Sequence, residues 1–168
     1  MVAHLFLTAE LSNVTGLIPV DTVDQPFEYT FKIQCTACRE THPKQISINL
    51  YEKHEIQGSR GEANFIFKCG FCGKHSNVEL SKPKKFEAYN ISDSTKKVAI
   101  LDMEARGLDL VEFIPVGLFQ CSGCDEEGNL SGTKFKDVDL SDNEWYDYDD
   151  DAAREVSITE TKWEILKK

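Results

Sequence analysis

The chain has 168 residues, 40% of them hydrophobic, and carries 29 acidic against 19 basic side chains, a formal charge of −10. That length and apolar content suit one domain, or two small halves sharing an interface, with a real core and no general disorder. The acidic balance argues against a duplex nucleic-acid binder, whose affinity rests on basic groups displacing phosphate counterions, and against an anionic membrane surface; a basic partner or cationic ligand fits better.

Met1 to Ser12 has no basic leader, its apolar run is too short for a signal peptide or span, and no other stretch approaches the roughly eighteen apolar residues a span needs. A cytoplasmic or nuclear protein is expected, in a compartment where paired cysteines more often hold metal than form disulfides. Residues 3 to 11 alternate, with Ala3, Leu5, Leu7, Ala9 and Leu11 on one face, which predicts a half-buried strand. Phe27, Tyr29, Phe31 and Ile33 predict a second strand that delivers Cys35, and Ile46, Ile48 and Leu50 a third. Gly58–Ser59–Arg60–Gly61 reads as a turn, after which Ala63, Phe65 and Phe67 lead to Cys69; Val78 and Leu80 continue outward until Ser81–Lys82–Pro83–Lys84–Lys85 breaks the pattern.

The pattern then restarts. Ala9 is followed after eight residues by Ile18–Pro19–Val20, and Ala105 after eight by Ile114–Pro115–Val116, each tripeptide leading toward a Cys-x-x-Cys. Two repeat-related β-rich halves, 1–85 and 86–168, are expected within a single compact unit. Near the end, Ser141–Asp142–Asn143–Glu144 has the capping-box pattern for one short helix. Val156 and Ile158 fall on one parity and Trp163 and Ile165 on the other, which predicts a last strand interrupted by a bulge. The fold class is mainly β: two similar antiparallel sandwich- or barrel-like halves packed together, with at most that short helix.

Thirty residues separate Cys35–Thr36–Ala37–Cys38 from Cys69–Gly70–Phe71–Cys72. Two Cys-x-x-Cys turns supply four soft thiolates, enough to close a tetrahedral zinc site with no position left for water. Cys35, Cys38, Cys69 and Cys72 are therefore expected to bind one structural Zn²⁺, and the long gap implies two strands inserted between the knuckles. Four thiolates around Zn²⁺ leave a charge of −2, which Lys32, Arg39, Lys68 and Lys74, each within three residues of a ligand, could offset. Gly73 suits the tight turn after Cys72, whereas Arg39 occupies that place in the first knuckle. His42 and His75 read as surface residues beside the site.

Cys121 and Cys124 have no fourth pair to complete a cage. Asp125, Glu126 and Glu127 follow them and should raise their thiol pKa values, which predicts a remnant hairpin tip without ligand; a two-thiol metal site completed by a partner is the alternative. Residues 137 to 151 hold eight acidic side chains and no Lys or Arg, interleaved with Trp145, Tyr146 and Tyr148. Such a run is commonly a solvated loop, but the aromatics make a binding surface for a basic partner. Calcium is disfavoured, because an EF-hand's glycine and terminal glutamate fall out of register here. No catalytic set is found.

These stretches together resemble the eukaryotic CXXC-motif-containing zinc-binding protein family. Besides the two cysteine pairs, the resemblance rests on Gly58–Ser59–Arg60–Gly61, Tyr89–Asn90, Arg106–Gly107–Leu108 with Val111, Phe113 and Pro115, Ser131–Gly132–Thr133 with Phe135, and Trp145 with Asp147–Tyr148–Asp149. It implies a β-rich protein of two similar halves with one zinc on Cys35, Cys38, Cys69 and Cys72, and no enzymatic activity; it gives no role to Cys121 and Cys124. The expected function is a non-catalytic, monomeric interaction protein docking a basic or metal-handling protein partner. The alternatives are a thiol-disulfide or zinc-dependent enzyme using a knuckle and, weakest on charge, a zinc-ribbon nucleic-acid binder.

Overall fold

The computed structural model describes residues 1–168. Its strands are, in chain order, β1 (Val2–Ser12), β2 (Val14–Pro19), β3 (Tyr29–Cys35), β4 (Ile46–Ile48), β5 (His54–Glu55), β6 (Glu62–Ala63), β7 (Phe65–Lys68), β8 (His75–Ser81), β9 (Val98–Arg106), β10 (Leu108–Ile114), β11 (Leu118–Cys124), β12 (Leu130–Asp139), β13 (Trp145–Asp149) and β14 (Arg154–Lys167). One turn of 3-10 helix, Ile91–Asp93, is the sole helical element, and no helix is long and apolar enough to cross a membrane.

The alternation in β1 does what its chemistry dictates. Ala3, Leu5, Leu7, Ala9 and Leu11 are all buried, and the intervening residues face outward. β1 lies centrally in a six-stranded antiparallel sheet ordered β13-β14-β1-β9-β8-β7, while two three-stranded sheets, β10-β3-β4 and β12-β11-β2, supply the opposing layer. Aromatic rings knit the layers together. Trp163 of β14 packs on Phe113 of β10 at 5.0 Å and on Phe119 of β11 at 5.7 Å between ring centroids, and Phe113 continues to Phe31 of β3 at 5.5 Å.

The strand pairings have an internal symmetry. Exchanging β1 with β9, β2 with β10, β3 with β11, β4 with β12, β7 with β13 and β8 with β14 reproduces every neighbour relation in the three larger sheets. The N-terminal and C-terminal halves share all three sheets: β1 pairs β9 and β14, β2 pairs β11, and β3 pairs β10. Only the two-stranded β5–β6 ladder, which carries the Gly58–Gly61 turn, has no counterpart.

The predicted bulge in the last strand is present. Thr8 pairs Lys162 but Glu10 pairs Thr159, so one extra residue enters β14 there, and Glu160 takes a positive φ of 52°. The extra residue flips the side-chain parity, burying Val156 and Ile158 before it and turning Trp163 and Ile165 inward after it.

Two expectations need correction. Ser141–Glu144 is a reversing turn, not a helix start: the Asn143 amide donates to the Leu140 carbonyl at 2.9 Å, and Asn143 at φ 62° stops any helical continuation. The chain must reverse there at once, because Trp145 has to pack against Phe135 at 5.2 Å. Between the knuckles, the chain forms β4, the β5–β6 ladder and β7 in place of two strands.

Candidate metal centre

Each cysteine turn is built where a strand runs out. β3 ends on Cys35, whose amide donates to the Glu40 carbonyl, and β7 hands over to Cys69, whose amide donates to the Lys74 carbonyl at 2.9 Å. Both turns then close through the fourth residue on. Arg39 donates to the Cys35 carbonyl at 3.0 Å and Gly73 to the Cys69 carbonyl at 2.9 Å, and both adopt left-handed backbone, at φ 64° and 78°. Glycine accepts that conformation freely. Arg39 carries a steric cost of about 1–2 kcal/mol, which the knuckle must offset.

The two turns meet. Sγ of Cys35 lies 3.7 Å from Sγ of Cys72, Sγ of Cys38 lies 3.7 Å from Sγ of Cys69, and all four sulfurs fall within 4.8 Å of one another. A tetrahedron with Zn–S bonds of about 2.3 Å has edges of about 3.8 Å, so the sulfur spacing fits zinc. The donor set fits as well, since four soft thiolates suit this ion and complete its coordination. When bound, the ion would tie the turn after β3 to the turn between β7 and β8.

The turns also stabilise thiolate. The amides of Cys38 and Ala37 point at Cys35 and hold its thiol at about 6, and the amides of Cys72 and Phe71 lower that of Cys69. The Phe71 amide reaches Sγ of Cys69 at 3.4 Å. Cys38 also faces an amide, that of Glu40, but burial and the neighbouring thiolates outweigh it and push the thiol up to about 12. Four such sulfurs cannot all ionise without a cation among them.

Of the four basic residues expected to offset that charge, Lys74 bridges the knuckles, donating to Oγ1 of Thr36 at 3.3 Å, and Lys68 lies alongside Gly73. Lys32 instead pairs with Glu112 across β3 and β10 at 3.1 Å, because it sits on the outward face of its strand. His42 packs edge-on against Phe67 at 4.9 Å and His75 is exposed; neither joins the sulfur cluster.

Cys121 and Cys124 are placed elsewhere than expected. They lie within β11, not on a hairpin tip, and both are buried, at 3% and 0% exposure, because an irregularity in β11 between Ser122 and Cys124 turns both inward. Burial pushes Cys121 up to about 12, with Cys124 and Asp147 adding to it; burial and then Asp125 raise Cys124 against the opposing Arg154. Neutral thiols shielded this way are poor nucleophiles, and neither sulfur joins the four-cysteine cluster.

The acidic segment is also only partly a surface. Trp145 is half-buried against Phe135 and Asp149 is fully buried, whereas Tyr146 and Tyr148 are 64% and 47% exposed.

Comparison with known proteins agrees with this centre. The profile of the eukaryotic CXXC motif containing zinc binding protein family matches residues 4–166. A UPF0587 protein of Schizosaccharomyces pombe is 45% identical over 163 residues, covering 97% of this chain and 96% of the relative. The CXXC motif containing zinc binding protein of Bos taurus is 34% identical, covering 98% and 97%. The crystal structure of C1orf123 superimposes with a TM-score of 0.86 at 31% identity over the whole of both chains, and a hypothetical protein from Plasmodium falciparum with 0.83 at 27% identity over 98% and 99%. Four convergent thiolates set at zinc spacing, within a sequence matched from end to end, describe one structural Zn²⁺ site, and the chain belongs to the eukaryotic CXXC motif containing zinc binding protein family.

Proposed function

We propose that this protein is a non-catalytic, zinc-stabilised interaction module that docks a basic protein segment, including one on a metal-handling partner. The observation that carries the reading is the outer face beside β13. Tyr146 and Tyr148 project there with Glu155, Ser157 and Ser12 around a shallow groove of about 440 Å³, in a segment with eight carboxylates and no cation. Glu144 and Glu160 raise the Tyr146 hydroxyl pKa, which reports the negative potential over that face. Exposed tyrosines supply anchor area at small entropic cost, and the carboxylates steer a cation toward them.

The absence of catalysis is supported by the closed sulfur set. A catalytic zinc keeps an open position, and four protein thiolates fill every one. The raised thiols of Cys121 and Cys124 argue against disulfide exchange. We further read the protein as a cytoplasmic or nuclear monomer whose halves descend from one duplicated ancestor; the exchange symmetry of the strand pairings supports the duplication.

The test is fluorescence anisotropy with a labelled lysine- and arginine-rich peptide. Intact protein should bind it more weakly as salt rises, and Tyr146→Ala with Tyr148→Ala should lose about tenfold or more in affinity with the zinc retained. An unchanged affinity in the double variant would remove this face from the function.

A further inference from the structure

We infer that the second half closes without metal, and that the carboxylate of Asp149 stands where the first half places its zinc-bound thiolates. Under the exchange of strands described above, the β7–β8 turn that carries Cys69 and Cys72 corresponds to the β13–β14 turn. The two turns match in detail. Cys69 hydrogen-bonds with Lys74 five residues on, and Asp149 pairs with Arg154, also five residues on. Each has left-handed backbone at its fourth step, Gly73 at φ 78° and Ala153 at φ 52°. Sγ of Cys69 faces the amides two and three residues ahead, those of Phe71 and Cys72. Oδ1 of Asp149 likewise accepts from the amides two and three residues ahead, Asp151 at 3.1 Å and Ala152 at 3.2 Å.

The other half of the site corresponds as well. Cys35 pairs with Leu108, the first residue of β10, and Gly123 pairs with Val14, the first residue of β2. The residue after each donates to the turn that precedes the partner strand: Thr36 to the Gly107 carbonyl at 3.1 Å, and Cys124 to the Asn13 carbonyl at 2.9 Å. Gly123 therefore holds the place of Cys35. It has no room for any side chain, since a Cβ there would overlap the Asp149 carboxylate and lie 2.5 Å from Oγ of Ser131. The volume that a sulfur occupies in the first half is filled by a carboxylate in the second.

That carboxylate is fully buried, and it is satisfied without an ion. Ser131 donates to Oδ2 at 2.5 Å and Thr133 to Oδ1 at 2.5 Å, both from β12, and the two turn amides complete a set of four donors. Burial alone would raise its pKa, but the two hydroxyls and two amides outweigh that and hold it below the usual carboxylate range. A charged acceptor with four donors ties β12 to the β13–β14 turn much as the zinc ties the two knuckles. Cys121 and Cys124 are then not the counterparts of Cys35 and Cys38, despite their spacing.

Hydrogen exchange on the full-length, zinc-loaded chain tests this. Removing zinc with a chelator should speed exchange at amides 36–40 and 70–74 while leaving 151 and 152 protected. Adding zinc, calcium or magnesium salts should leave 151 and 152 unchanged. Asp149→Ala should speed exchange at 151 and 152 by roughly threefold to thirtyfold, the range for losing a side-chain cap, and still bind one zinc. If that variant does not fold, Asp149→Asn, which keeps one acceptor oxygen, should give an intermediate loss. Deprotection of 151 and 152 on chelation, protection by any added metal, or full protection in both variants would overturn the assignment.

Discussion

Cys69→Ser removes one of the four thiolates, and its effect can be set against Cys121→Ser in the same protein. Both cysteines are buried, at 5% and 3% exposure, so the two substitutions place the same hydroxyl in a comparably dry site. They differ in what the sulfur touches. Sγ of Cys69 lies 3.7 Å from Sγ of Cys38 and receives the Phe71 amide, whereas Cys121 faces the core beside Cys124 and Phe135. If zinc binding contributes roughly 10–16 kcal/mol across four ligands, losing one removes about 2.5–4 kcal/mol, or roughly two to three decades of zinc affinity. Cys121→Ser instead costs about 1–3 kcal/mol of folding stability for burying an unpaired hydroxyl and leaves zinc affinity unchanged. Competition with a chromophoric chelator reads the first quantity and denaturant unfolding the second. Equal zinc affinity in both variants would refute the ligand assignment.

Thiol alkylation near neutral pH should modify none of the six cysteines in the zinc-loaded protein and four after chelation, with Cys121 and Cys124 protected by their burial in the core; early labelling of Cys121 or Cys124 would contradict the placement of β11. Acidification should loosen the β13–β14 turn. The depressed pKa of Asp149 adds stability above the unfolded value near 3.8, and that stability is lost as pH falls through the folded pKa, so exchange at 151 and 152 should rise only below about pH 4. Phe113→Ala, which deletes a buried ring packed on Phe31 and Trp163, should destabilise by about 3–5 kcal/mol in denaturant unfolding; a cost below about 1 kcal/mol would show that those rings do not join the layers.

The cysteine spacing made the metal centre legible because two Cys-x-x-Cys turns at strand ends leave few other solutions. β1 and the bulged β14 were legible because their outward faces are polar, so burial left a clean period of two. β2 was hidden by Gly16 and Pro19, which read as breakers although the strand tolerates both, Gly16 with φ 69° and Pro19 at its last position. β9 was not read as an individual strand, since Met103, Glu104, Ala105 and Arg106 are good helix formers and only its pairing between β1 and β8 makes it a strand. The third cysteine pair misled because spacing within a pair does not reveal strand register. A two-residue offset puts Gly123, not Cys121, opposite the site, and nothing local in the sequence marks Asp149 as a buried counterpart of Cys69.

The most direct measurement is zinc-edge X-ray absorption on the purified protein, with native mass spectrometry for stoichiometry. One zinc per chain with four sulfur neighbours at about 2.3 Å is predicted. A first shell containing nitrogen or oxygen, or a purified chain carrying less than one zinc, would contradict the account.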